Sequence, residues 1–180
     1  MKAPMGKTSS STVLDSPTGT QGAIVLPVVA FAIPFFVSGP QWLTGTAVNC
    51  LLILAAARLP RRYVWPVIVL PSIGAVAHGA LFGPFTRFLL IFIPFIWAGN
   101  WIFLAAFLRL RSASPLLALC AGALIKATFL ALFALVFFRF GLVPQAFITS
   151  MSLMQFVTAV AGGILALMIL RFLETAHERH

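Results

Sequence analysis

Between residues 23 and 172 the chain has no aspartate or glutamate, and long apolar runs follow one another with only short polar gaps between them. A soluble domain carries roughly 25% charged residues. Here 8% are charged, 61% are hydrophobic and the mean hydropathy is +1.07, so lipid rather than water is the expected solvent. A segment inside a bilayer must satisfy its own backbone hydrogen bonds, which selects helices for runs of this kind. The expected fold is an all-α integral membrane protein, a compact bundle of about six transmembrane helices.

A crossing helix takes about 20 mostly apolar residues. Six runs qualify, at residues 23–38, 42–57, 63–82, 88–108, 115–138 and 151–172. The first two are short and separated only by residues 39–41, which predicts a tight helical hairpin or a partly re-entrant pair. Residues 1–21 are polar and rich in Ser, Thr, Gly and Pro, and read as a disordered cytoplasmic tail; residues 22–172 form the transmembrane domain and 173–180 a second short tail.

Twelve Lys and Arg stand against three acids (Asp15, Glu174, Glu178), for a net charge of +9. In a soluble protein this balance suggests nucleic acid. In this chain topology accounts for it, and no nucleic-acid partner is expected. With six spans, Lys2, Lys7, Arg58, Arg61, Arg62, Arg109, Arg111, Arg171 and Arg179 share one side, and only Arg87 and Arg139 lie on the other. The positive-inside rule then predicts a multi-pass membrane protein with both termini in the cytoplasm.

Pro27, Pro34, Pro66, Pro71 and Pro94 lie within the spans, where each removes a backbone donor and kinks its helix, leaving room between neighbours. Small residues recur at four-residue spacing: Ala75, Gly79 and Gly83; Ala118 with Gly122 and Ala123 with Ala127; Thr158, Gly162 and Ala166. Such ladders let helices approach closely, either inside the bundle or against another membrane subunit.

Polar groups in hydrocarbon are costly and mark candidate sites. The candidate ligand-binding residues are Lys126, Asn100, Gln155, Gln41, His78 and Asn49. Lys126 is midway along the fifth run with no acid in any span to neutralise it, so its partner is a carbonyl, an amide, water or an anion from outside the chain. Asn100 lies in Trp97-Ala-Gly-Asn-Trp101, an amide between aromatic rings, which fits both a small-molecule pocket and interhelical hydrogen bonding. His78 fits a proton relay or a structural hydrogen bond. Gln41-Trp-Leu-Thr44 and Gln155-Phe-Val-Thr158 echo each other at comparable depth and fit two walls of one site.

Cys50 and Cys120 both fall in apolar runs and read as packing residues, with no disulfide, metal or other cofactor implied. No phosphate-cradling glycine loop, metalloprotease motif, nucleophile elbow or carboxylate pair is present, so the chain is not expected to be an enzyme.

The segments Gly39-Pro-Gln-Trp-Leu-Thr-Gly-Thr-Ala-Val-Asn49, Ile93-Pro-Phe-Ile-Trp-Ala-Gly-Asn100 and Met151-Ser-Leu-Met-Gln-Phe-Val-Thr158, with the size, helix number and termini, resemble the substrate-binding S components of energy-coupling factor transporters and related small bacterial membrane proteins. The resemblance covers residues 23–172. It implies a place in the bacterial plasma (inner) membrane, a vitamin or other micronutrient bound within the bundle near Gln41, Asn100, Lys126 and Gln155, and a separate transmembrane partner subunit with ATPases. The rival expectations are a structural or assembly subunit of a larger membrane complex, and a membrane enzyme or proton-coupled carrier using His78 and Lys126.

Overall fold

The structure, a computed structural model, describes residues 17–37, 40–82 and 86–177. Among them the chain is helical without strands: α1 (Pro17–Phe36), α2 (Gln41–Arg58), α3 (Arg61–Phe82), α4 (Thr86–Leu110), α5 (Pro115–Arg139), the short α6 (Ala146–Met151) and α7 (Leu153–His177). Three stretches are long and apolar enough to cross a membrane: Phe88–Leu110, Pro115–Arg139 and Ala146–Ala176. Gln21–Phe36 is a shorter apolar helix. α2 and α3 carry polar residues in their first turns. α2 opens on Gln41, Thr44, Thr46 and Asn49, and α3 starts on Arg61 and Arg62.

Local signals set the helix ends. Pro60 follows α2, whose last turn is closed by the Leu59 amide donating to the Ala55 carbonyl at 2.8 Å. Ser114 caps α5 by accepting from the Leu117 amide, with Pro115 at the first helical position. α1 begins at Pro17, inside the segment assigned to the polar tail, and α7 runs to His177, past the expected end at residue 172. Residues 1–16 and 178–180 lie outside the described residues. The α6 turn was not expected. It precedes a break at Ser152, whose hydroxyl donates to the Ile148 carbonyl at 2.7 Å and so occupies an acceptor that an unbroken helix would use.

α1 packs chiefly on α3 rather than on α2, so the expected α1–α2 hairpin is not the dominant pairing. The reason is backbone approach: Gly74 of α3 lies so close to the Phe31 carbonyl of α1 that a β-carbon would collide with it. Replacing Gly74 with alanine is expected to cost about 2 kcal/mol of stability in a detergent unfolding titration, against little change for the exposed neighbour Ile73→Ala.

α2 and α7 pack in parallel, with Gly45 against Thr158 and Asn49 and Cys50 against Gly162. Gly122 of α5 lies on the Phe103 carbonyl of α4. The ladders of α5 and α7 therefore face inward: Ala118, Gly122, Ala123, Ala127, Thr158, Gly162 and Ala166 are all buried. On α3, Ala75 and Gly79 are half-buried, and Gly83 lies outside the described residues. Cys50 joins the core, whereas Cys120 is exposed on the outer face of α5, so only one of the two cysteines packs as expected.

Two cores result. The larger joins α2, α3, α4, α5 and α7 around Leu52, Ile53, Val67, Phe103 and Leu119. The other is aromatic and joins α4, α5 and α6: Phe92 meets Phe137 and Phe147 edge to face at 5.6 and 5.1 Å, and Phe95 lies 4.3 Å from Phe133. Between helices in lipid there is no hydrophobic drive, so ring contacts and close backbone approach supply the association. The outer faces are apolar, with Leu117, Leu124 and Leu132 on α5 and Leu165 and Met168 on α7 exposed.

Candidate functional site

A cavity of about 290 Å³ lies where α1 ends, α2 begins and α6 leads into α7. Two of the prolines inside helices, Pro34 of α1 and Pro71 of α3, line it. Gln41, Thr44, Gly45, Val48 and Asn49 form the α2 wall, Leu89, Ile96 and Asn100 the α4 wall, and Ser150, Met151 and Gln155 the wall at the α6–α7 break. Lys126 reaches it from the middle of α5.

Five of the six candidate residues thus share one cavity: Gln41, Asn49, Asn100, Lys126 and Gln155. His78 does not line it. Its Nδ1 lies 2.8 Å from the Phe35 carbonyl, where it ties α3 to α1. His78→Ala is therefore expected to loosen the α1–α3 pair, lowering stability by about 1 kcal/mol, and to leave small-molecule occupancy of the cavity within about twofold. Ligand retention and thermal unfolding of the same purified sample separate the two effects.

Lys126 is 1% exposed. Its ammonium donates to Asn49 Oδ1 at 2.8 Å and lies 5.5 Å from the centre of the Phe103 ring, a cation–π distance. Asn49 is oriented for this role because its amide nitrogen donates to the Gly45 carbonyl at 2.8 Å and, at 3.4 Å, to the Thr158 hydroxyl, turning Oδ1 toward the lysine. Thr158 is fixed in turn by donating to the Met154 carbonyl at 2.7 Å. An ammonium has three donors. Among the described residues one of them is matched, and no carboxylate is among the residues that line the cavity. The arrangement sets the amine of Lys126, with donors to spare, at the wall of an otherwise largely apolar cavity.

Gln41 donates from Nε2 to the Ser150 carbonyl at 2.9 Å, joining the start of α2 to the end of α6. Asn100 Nδ2 lies 3.4 Å from the Ile68 carbonyl and spans α3 to α4. The echoed segments do face each other, since Gln41 and Thr44 line the cavity from α2 and Gln155 from α7, with Thr158 beneath. Thr44, Ser72 and Ser150 also line it and were not among the candidates. Isolated hydroxyls in apolar runs carry little signal, because they can satisfy themselves on their own helix, as Thr44 does on the Gln41 carbonyl at 3.4 Å. Trp97, beside Asn100, keeps a buried indole N–H with no partner among the described residues.

Among the described residues the chain is helical, with three helices long and apolar enough to cross a membrane and a cavity whose wall carries Lys126. No protein-family model, curated protein or solved structure matches the chain.

Proposed function

We propose that this protein is the substrate-binding transmembrane subunit of a micronutrient uptake transporter, taking a small anionic or amphipathic molecule into the cavity around Lys126 and relying on a transmembrane partner and ATPases for energy. In this reading six helices cross a bacterial inner membrane, with both termini in the cytoplasm. The cavity then opens in the outer half, away from the arginine-rich ends of α2, α4 and α7. The single observation that carries the reading is the buried Lys126 amine, set by Asn49 on the wall of a cavity that, among the described residues, has no acidic side chain and matches one of its donors. An anion with an apolar body completes such a site: its charge takes the free donors, Gln41, Asn100 and Gln155 orient it, and Val48, Ile96 and Phe147 cover the rest. The cavity volume lies at the lower edge of the roughly 300–1,000 Å³ usual for ligand sites, which limits the ligand to a small molecule.

The inward-facing ladders of α5 and α7 favour this reading over a structural or assembly subunit, because those faces are already occupied within the bundle. Native mass spectrometry of protein gently extracted from its own membranes tests it. A stoichiometric small ligand, with or without ATPase partners, is the expected result. Stable incorporation into a larger assembly with no ligand overturns it in favour of the structural subunit.

A further inference from the structure

A second cavity, of about 260 Å³, lies at the opposite end of the bundle between the first turns of α3 and the last turns of α4. Arg61, Trp65 and Ile68 line it from α3, and Trp101, Leu104 and Leu108 from α4. On each helix the three residues follow the spacing of one face and span eight residues, which makes a groove about 10 Å long. Charge is confined to one end of it. Arg61 is the first residue of α3, exposed, and without an ion-pair partner among the described residues. The exposed Arg58, Arg62, Arg109, Arg111 and Arg171 share that end of the bundle, against Glu174 as the one described acid. Below the arginine the walls are apolar, and the flanking tryptophans are half open to the surroundings, Trp65 at 54% and Trp101 at 52%.

We propose that this groove is a binding site for an anionic phospholipid, with the headgroup phosphate on Arg61 and the upper part of one acyl chain lying between Trp65 and Trp101. Phosphate suits the guanidinium fork, which donates two parallel hydrogen bonds to it. The apolar walls favour a lipid over a soluble phosphate, because below Arg61 the lining side chains carry no charge and no polar group other than the two indole N–H donors. The exposed tryptophans have the amphipathic rings that settle at headgroup level. A basic pocket between membrane helices on the side richer in arginine is where anionic lipids are attracted most strongly. The site is independent of the cavity around Lys126.

The test uses the intact protein, stripped of lipid in mild detergent and titrated separately with phosphatidylglycerol and phosphatidylcholine of the same acyl chains, with bound lipid counted by native mass spectrometry. Phosphatidylglycerol is expected to bind about fivefold more tightly. Arg61→Gln should bring that ratio to about one, while Arg139→Gln, at the other end of the bundle, leaves it unchanged. Trp65→Ala should weaken both lipids together, since it removes a wall and no charge. The proposal is overturned if Arg61→Gln keeps the preference, or if free glycerol 3-phosphate displaces the lipid at equal concentration, which would mark a site for a soluble phosphate.

Discussion

Asn49→Leu is expected to destabilise the protein by about 3 kcal/mol, and adding Lys126→Met to it is expected to restore most of that loss. Asn49 Oδ1 is the hydrogen-bond acceptor of a lysine that is 1% exposed, so leucine strands an ammonium away from water. Removing one partner of a buried charged pair costs about 3–5 kcal/mol, whereas replacing both by apolar groups of similar size is close to neutral. Lys126→Met alone leaves Asn49 held by Gly45 and Thr158, and its cost should stay near 1 kcal/mol. Unfolding titrations of the four proteins close the cycle. Additive losses would show that the two side chains do not depend on each other. The same variants separate structure from function: Lys126→Met should fold well and yet retain less than about a tenth of the small molecule expected to co-purify with the wild type, because a charged hydrogen bond to a buried anion contributes about 1.5–3 kcal/mol. Undiminished retention would end the anchoring role of Lys126.

The fold was largely legible in the apolar runs, because each long run must become a helix that satisfies its own backbone. Breaks at Pro60, Gly83 to Pro84, Ser114 and Gly141 to Pro144 punctuate them in the sequence. The described breaks fall where proline and glycine put them except the one at Ser152, and Gly141 takes the left-handed φ of 69° that closes the turn after α5. Pairing was less legible. α1 and α2 adjoin in sequence, but α1 lies mainly on α3, since the Gly74 contact with Phe31 depends on a three-dimensional approach that spacing along either helix does not encode. The same limit applied to the site. Lys126, Asn100 and Gln155 stood out as polar groups with no local partner, and they do share a cavity. That Asn49 in particular takes the lysine was hidden, because it depends on the parallel α2–α7 register that turns Asn49 toward α5. His78 shows the converse: a conspicuous residue type whose partner, the Phe35 carbonyl, is a backbone atom that any sequence supplies.

That register is also where the largest effect of a single methyl group is expected. A β-carbon on Gly162 would collide with the Thr46 carbonyl and sit 2.8 Å from the Cys50 nitrogen and 2.9 Å from Asn49 Cβ, all on α2. Two of those three atoms are helix backbone and cannot swing aside, so Gly162→Ala must push α7 away from α2. We expect a loss of about 3 kcal/mol. Gly163→Ala makes a discriminating comparison, because the three atoms nearest its β-carbon all belong to the side chain of Leu119, which can shift where helix backbone cannot; about 1 kcal/mol is expected there. The two alanines differ further in what they do to the cavity. Separating α7 from α2 at Gly162 pulls Thr158 off Asn49 and frees the asparagine that sets Lys126, so ligand retention should fall with stability in Gly162→Ala and hold in Gly163→Ala. Equal losses in the two variants, by unfolding titration and by retention, would mean that the α2–α7 contact neither limits stability nor organises the site.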